Sequence, residues 1–232
     1  MGDTIHEVLK GKVPSDSSAQ VDAFSIIKLN SVEFENKTDV LDLGAGTGAS
    51  FDRLKRYIPN IKYTGLDIES SPEVESRTRT DLDFRVYDGK TMPFSNSKFD
   101  VVFCKQVLEH VRHPDAVIAE VSRILKPGGI FVGSCSQLEP YHSHSIFNWT
   151  AYGIVQVFES HDLFVKQLRP GIDGITLTMR RVIDREKFNN FFGFESLFNH
   201  YIDGRWIKSS HEEKNFQKLL IAGHLVWLAQ KS

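Results

Sequence analysis

The stretch Asp42-Leu-Gly44-Ala-Gly46-Thr-Gly48 constrains this 232-residue chain more than any other. A short apolar run over residues 39–43 leads into it, and a helical pattern over residues 49–57 leads out. Glycines at alternate positions let the backbone turn sharply and let a ligand approach it closely. A helix that starts behind such a turn offers free N–H groups. Strand, glycine turn and helix, in that order, open a layered α/β sheet.

The next residues repeat the unit. Strands are expected at 61–67, 82–87, 99–104 and 130–134. A helix is expected at 114–125, with Val117, Ile118, Val121, Ile124 and Leu125 on one side and Lys126-Pro-Gly-Gly129 as its stop. Short β-branched strands alternating with helices imply a doubly wound α/β sheet. Ahead of it, residues 18–30 space Val21, Phe24 and Ile27 as a helix does, while the polar residues 1–16 read as loosely held or as folding over a ligand. Behind it, residues 148–159 look helical and 163–168 strand-like. Residues 173–220 are rich in Phe, Arg and Asn without a clear strand, and 223–229 are strand-like again.

A net charge of −2 and a pI near 6.5 lack the basic footprint of a nucleic-acid binder. No apolar run approaches the roughly 20 residues that span a bilayer. The first dozen residues lack the apolar centre of a secretory signal, so a cytoplasmic location is expected. Cys104 and Cys135 lie in strand-like runs and read as reduced, buried thiols. No ligand set calls for a metal.

Two acids extend the glycine signal. Asp67 ends the second strand, where a carboxylate can accept both hydroxyls of a ribose. Asp88 ends the third, within reach of an adenine amino group. Singly, each glycine could serve a turn and each Asp a helix cap. As an ordered set they point to a nucleoside pocket. Gly44-x-Gly46-x-x-Ala49 also satisfies the looser dinucleotide fingerprint, which makes a nicotinamide-dependent oxidoreductase the first rival. Asp42 argues against it: a carboxylate two residues before the first glycine would repel a pyrophosphate but suits the ammonium of a methionine moiety.

The segments VLDLGAGTG, YTGLDI, YDGKTMPF, FDVVFCKQVLEHV and ILKPGG, all within residues 38–136, resemble the class I S-adenosylmethionine (SAM)-dependent methyltransferase family. LEHV followed by LKPGG is similar to its branch acting on quinones, sterols, sugars and natural products. The resemblance implies a seven-stranded Rossmann-like sheet ordered 3-2-1-4-5-7-6 with strand seven antiparallel. It makes 163–168 strand six and 223–229 strand seven. One domain is expected, with a core of 36–168 plus 223–230, an N-terminal helix at 18–30 and a helical insertion at about 170–221. The insertion departs from the family core; it covers the substrate pocket, makes a homodimer contact, or is a packing decoration.

By the same resemblance SAM is the cofactor and S-adenosylhomocysteine (SAH) its product. Asp42, Gly44, Ala45 and Gly46 would hold the methionine end, Asp67 and Ile68 the ribose, and Asp88 and Gly89 the adenine. Lys105 and Gln106 would line the methionine side, with the lysine charge directed away from the sulfonium. The acceptor would be a small molecule methylated on oxygen or carbon, with neither nucleic acid nor a membrane span involved. A SAM-binding protein that has lost catalysis is the other alternative. Deprotonating a hydroxyl near neutral pH suits a histidine. His144 and His142, in an aromatic-rich loop after strand five, come before His110, for which packing is the bland role. Arg180, Arg181 and Arg185 could pair with an anionic substrate but read rather as a solvated helix face; the cluster from Phe188 to Phe198 could line an apolar substrate channel but reads rather as core or interface; His224 reads as structural.

Overall fold

Val40 and Leu41 are neighbours in sequence, yet they are buried in two different apolar clusters, as are Val101 and Val102. Strands that are apolar on both faces need cover on both. The computed structural model describes residues 2–139 and 143–232 and supplies that cover as helices on either side of one sheet. Its strands are β1 (Asp39–Leu43), β2 (Lys62–Asp67), β3 (Asp83–Val86), β4 (Phe99–Lys105), β5 (Leu125–Ser136), β6 (Leu163–Pro170) and β7 (His224–Lys231). They lie in the order β3-β2-β1-β4-β5-β7-β6. β1 to β5 run parallel, and β7 is antiparallel to both β5 and β6. The order and the reversed last strand agree with expectation. The ends of β1 to β5 and the beginning of β7 therefore share one edge, where an α/β sheet binds ligands.

The helices are α1 (Gly2–Leu9), α2 (Ser25–Leu29), α3 (Ser31–Phe34), α4 (Ser50–Tyr57), α5 (Pro72–Glu75), α6 (Pro114–Ile124), α7 (Ala151–Glu159), α8 (Gly174–Val182), α9 (Arg185–Asn189), α10 (Leu197–Arg205) and α11 (His211–Ile221). One cluster combines residues of α1, α6, α7 and α11 with one sheet face; the other combines α2, α3 and α4 with the opposite face. None of the helices is long and apolar enough to cross a membrane.

Two expectations change. The helix expected at 18–30 begins only at Ser25, because Asp22 intervenes: its Oδ1 accepts the amides of Phe24 and Ser25 at 3.1 and 2.6 Å and fixes a turn there. Residues 2–13 are not loose. Leu9 and Val13, one helical turn apart, enter the core, the Leu168 amide donates to the Lys12 carbonyl at 2.8 Å, and Lys12 pairs with Glu159.

The 170–221 stretch folds into α8 to α11 and is tied to the N-terminal segment by buried polar groups. Lys218 is fully buried, and its ammonium donates to the Ser18 carbonyl, Glu195 Oε1 and Asp203 Oδ2 at 2.7, 2.6 and 2.8 Å. Asn199 Nδ2 donates to Gln20 Oε1 and the Gly171 carbonyl, and Asn215 Nδ2 to the carbonyls of Pro14 and Ser17. A buried charge is tolerated when its hydrogen-bonding capacity is met, and all three ammonium protons of Lys218 have an acceptor.

Candidate active site

The turn after β1 is built for close approach. Gly44 has φ +74°, and a Cβ there would stand 2.2 Å from Val107 Cγ2. The amides of Gly44 and Ala45 reach across to the Leu66 carbonyl at 2.8 and 3.2 Å. Asp67, at the end of β2, accepts the Gly46 amide on Oδ2 at 2.7 Å and the Ile68 amide on Oδ1 at 2.8 Å. Each carboxylate oxygen has room for a second donor, so Asp67 is oriented by the backbone with capacity to spare for a vicinal diol. Ile68 beside it is exposed. Asp88, just past β3, accepts the amides of Lys90 and Thr91 on Oδ1 at 2.9 and 2.7 Å, and those bonds hold its carboxyl below the usual carboxylate range.

Asp42 stands behind the turn. It is 1% exposed and accepts the Tyr63 hydroxyl on Oδ2 at 2.7 Å. Burial raises its pKa to about 7, against the opposing pull of hydrogen bonds from Tyr63 and Ser50. Its charge acts on the cleft through the field rather than by open contact, and Lys105 is among the groups it feels.

Beyond β4 the chain enters a strained corner. Gln106 has φ +56°, a region non-glycine residues rarely occupy, and strain of this kind concentrates at functional sites. Its amide donates to the Ser134 carbonyl at 2.7 Å and its Nε2 to Ser134 Oγ at 3.1 Å. Lys105 and Gln106 form a wall common to two lobes of one cleft, about 190 and 390 Å³ in volume. The smaller is bounded by Gln20, Val21, Asp22 and Ile172, the larger by Glu139, Leu177 and the arginines of α8 and α9. Phe192 and His224 border both.

His224 Nε2 lies 2.7 Å from Glu139 Oε2, and both side chains are largely buried. The ring is 5.9 Å from that of Phe192, tilted by 32°. Glu139 Oε2 also accepts the Ser136 hydroxyl at 2.8 Å; the same Ser136 oxygen is 3.1 Å from Glu109 Oε1 and 3.1 Å from Gln106 Oε1. A carboxylate on one ring nitrogen fixes both the tautomer and the plane of an imidazole.

Residues 41–133 match the family model described as a methyltransferase domain. Residues 41–133 of the chain thus resemble a methyltransferase domain. Over 93 residues (39% of this chain, 38% of the relative) it is 36% identical to a ubiquinone/menaquinone biosynthesis C-methyltransferase of Desulfotalea psychrophila. Over 131 residues (53% and 50%) it is 36% identical to a thiol S-methyltransferase of Homo sapiens. It thus spans half or less of the length of these curated relatives. In fold it is similar to the [4+2]-cyclase SpnF, with a TM-score of 0.59 and 18% identity over 99% of this chain and 91% of that one.

Along the edge where the parallel strands end, Gly44, Ala45, Gly46, Asp67, Ile68, Asp88 and Gly89 fall together on or just past the tips of β1, β2 and β3, and Lys105 and Gln106 follow at the tip of β4. Lys105 lines both lobes of the cleft. Of the histidines expected as bases, His142 lies outside the described residues. His144 is exposed, and His110 closes a 3₁₀ turn over Leu108–His110; neither borders a lobe of the cleft. The histidine that does is His224. The sequence held one signal for it: a final strand running antiparallel must begin at the edge where the parallel strands end, so a polar first residue faces the ligand side. The same holds for the arginines of α8 and α9, which border the cleft instead of forming a wholly solvated face.

Proposed function

We propose that this chain moves the methyl group of SAM to an oxygen or carbon atom of a small-molecule acceptor bound in the two-lobed cleft. The observation that carries the reading is the His224–Glu139 pair, on the wall of a cleft that shares Lys105 and Gln106 with the end of the cofactor edge. SAM supplies a methyl already activated on a positive sulfur. The chain's task is to hold the acceptor in line with the S–CH₃ bond, a contribution worth roughly 7–11 kcal/mol in favourable systems.

Asp67 would fix the ribose and the turn at Gly44–Gly46 the methionine end. Asp88 would receive the adenine amino group. With Nε2–H held by Glu139, the neutral His224 ring keeps Nδ1 as its basic nitrogen. When bound, SAM would supply the methyl group, and that nitrogen would take up the proton the acceptor gives up. Hydroxyl and acidic carbon acceptors need such a base; a carboxylate acceptor does not. The small-molecule acceptors in the names of the relatives support the substrate size.

The test is calorimetry with SAH, followed by SAH release measured against a panel of hydroxyl and acidic-carbon acceptors with wild-type chain and the His224→Ala, His110→Ala, His142→Ala and His144→Ala variants. SAH binding together with loss of turnover only in His224→Ala is the expected pattern. Absence of SAH binding would overturn the cofactor reading, and full turnover in His224→Ala the choice of base.

A further inference from the structure

The larger lobe of the cleft is rich in positive charge. Arg180 and Arg181 sit in the last turn of α8, and Arg185 opens α9 three residues past the end of α8. All three border the lobe together with Lys105, and Glu139 is the one carboxylate among the described residues that line it. Glu139 is already engaged by His224 and Ser136.

Among the described residues, none of the three arginines has a carboxylate within 4.0 Å; Arg56, Arg77, Arg112 and Arg205 also lack one, while Arg53, Arg79, Arg85, Arg123 and Arg169 each have one, and only the three are gathered on one cavity wall. The neighbouring acid Asp184 is turned to the Lys187 amide, which it caps at 3.0 Å. Arg180 is steadied over the Phe192 ring, 5.2 Å from its centroid, and by a bond from Nε to Asn189 Oδ1 at 2.7 Å. That leaves its terminal nitrogens free for a ligand. The charge of Arg180 is disfavoured first by burial and then by Arg185 and Arg181, against a partial offset from Glu139. Like charges that outnumber the carboxylate beside them gain from an anion that bridges them.

We infer that the larger lobe receives a phosphate or diphosphate group of the acceptor, held by Arg180, Arg181 and Arg185 while the methylated atom lies toward His224. A carboxylate would offset one of the three guanidinium charges. A phosphate monoester, with close to two negative charges at neutral pH, and a diphosphate offset more and match the guanidinium fork. The inference rests on the acceptor cleft proposed above and adds the chemical class of what enters it.

The probe is inorganic pyrophosphate, titrated by calorimetry into SAH-saturated protein at fixed ionic strength, with acetate as the singly charged control. Pyrophosphate is expected to bind and acetate not to. The exposed pair Arg181→Gln/Arg185→Gln is expected to weaken pyrophosphate at least tenfold with SAH affinity unchanged, and Arg181→Lys/Arg185→Lys to recover part of the loss. Three results would overturn the inference: no pyrophosphate binding to protein that binds SAH, equal binding of acetate, or a double glutamine variant that binds pyrophosphate as the wild type does. Failure to bind SAH, with pyrophosphate still captured by these arginines, would instead count against the methyl-transfer reading alone.

Discussion

At the tips of β1 to β3 the ligand-facing groups are set by the main chain. Asp67 is held by two backbone amides, Asp88 by two more, and the turn at Gly44 is tied to the Leu66 carbonyl. Across the cleft the working groups are side chains brought together from distant parts of the sequence: His224 from β7, Glu139 from the loop after β5, arginines from α8 and α9, and Gln20 from the N-terminal segment. The first arrangement is local and tolerates little change in backbone shape. The second can be re-specified by changing a side chain without disturbing the sheet. A methyl donor that stays the same and an acceptor that varies would call for that division.

The largest effect expected on that contrast is at His224. Substitution by Ala should lower turnover by roughly 10²–10⁴-fold, the range for loss of a general base, while SAH affinity by calorimetry stays within twofold. A matching loss of SAH affinity would erase the distinction between the two sides. Asp67→Ala should show the reverse: SAM affinity about 100-fold weaker, near 2.7 kcal/mol, with circular dichroism unchanged. Glu139→Gln keeps the shape but removes the charge behind His224; about a tenfold fall in kcat with KM little moved would mark a positioning role.

The remaining effect falls on stability and concerns Asp42. Its pKa rises from 3.8 to about 7 in the fold. Between those values the folded chain holds a proton that the unfolded chain has released, so this group's contribution falls as pH climbs through the window and levels off above it. The cost reaches at most roughly 4 kcal/mol. Urea melts of wild type and Asp42→Asn from pH 4 to 8 should show the wild type losing ground to the variant as pH rises; parallel curves would refute the linkage. Bound SAM should reduce the gap, since a nearby cation favours the ionised carboxylate.

Legibility followed the same divide. Strand order, glycine turn and the acids at strand tips could be read because each is encoded within a few consecutive residues, by alternation, φ preference or a strand-end position. The helix at 18–30 was overextended because apolar spacing outweighed Asp22, whose side chain starts the helix late. Residues 1–16 looked loose because Leu9 and Val13 gain their meaning only against α7 and β6. His224 and the arginines read as structural and solvated, and Glu139 carries no role there, for a related reason: a cleft wall assembled from segments tens of residues apart leaves no periodic trace in any one of them.

The buried Lys218 ammonium joins three stretches of chain at a single atom, through Ser18, Glu195 and Asp203. Shortening the amino terminus past Ser18 would therefore do more than remove a tail. It would strip a carbonyl from a charge sealed in the interior, and water would have to enter beneath α10 and α11 to replace it. The packing of α10 against α11 would loosen although none of its own apolar residues had been touched, so tags, fusions and proteolytic trimming at that end belong among the variables of any activity measurement.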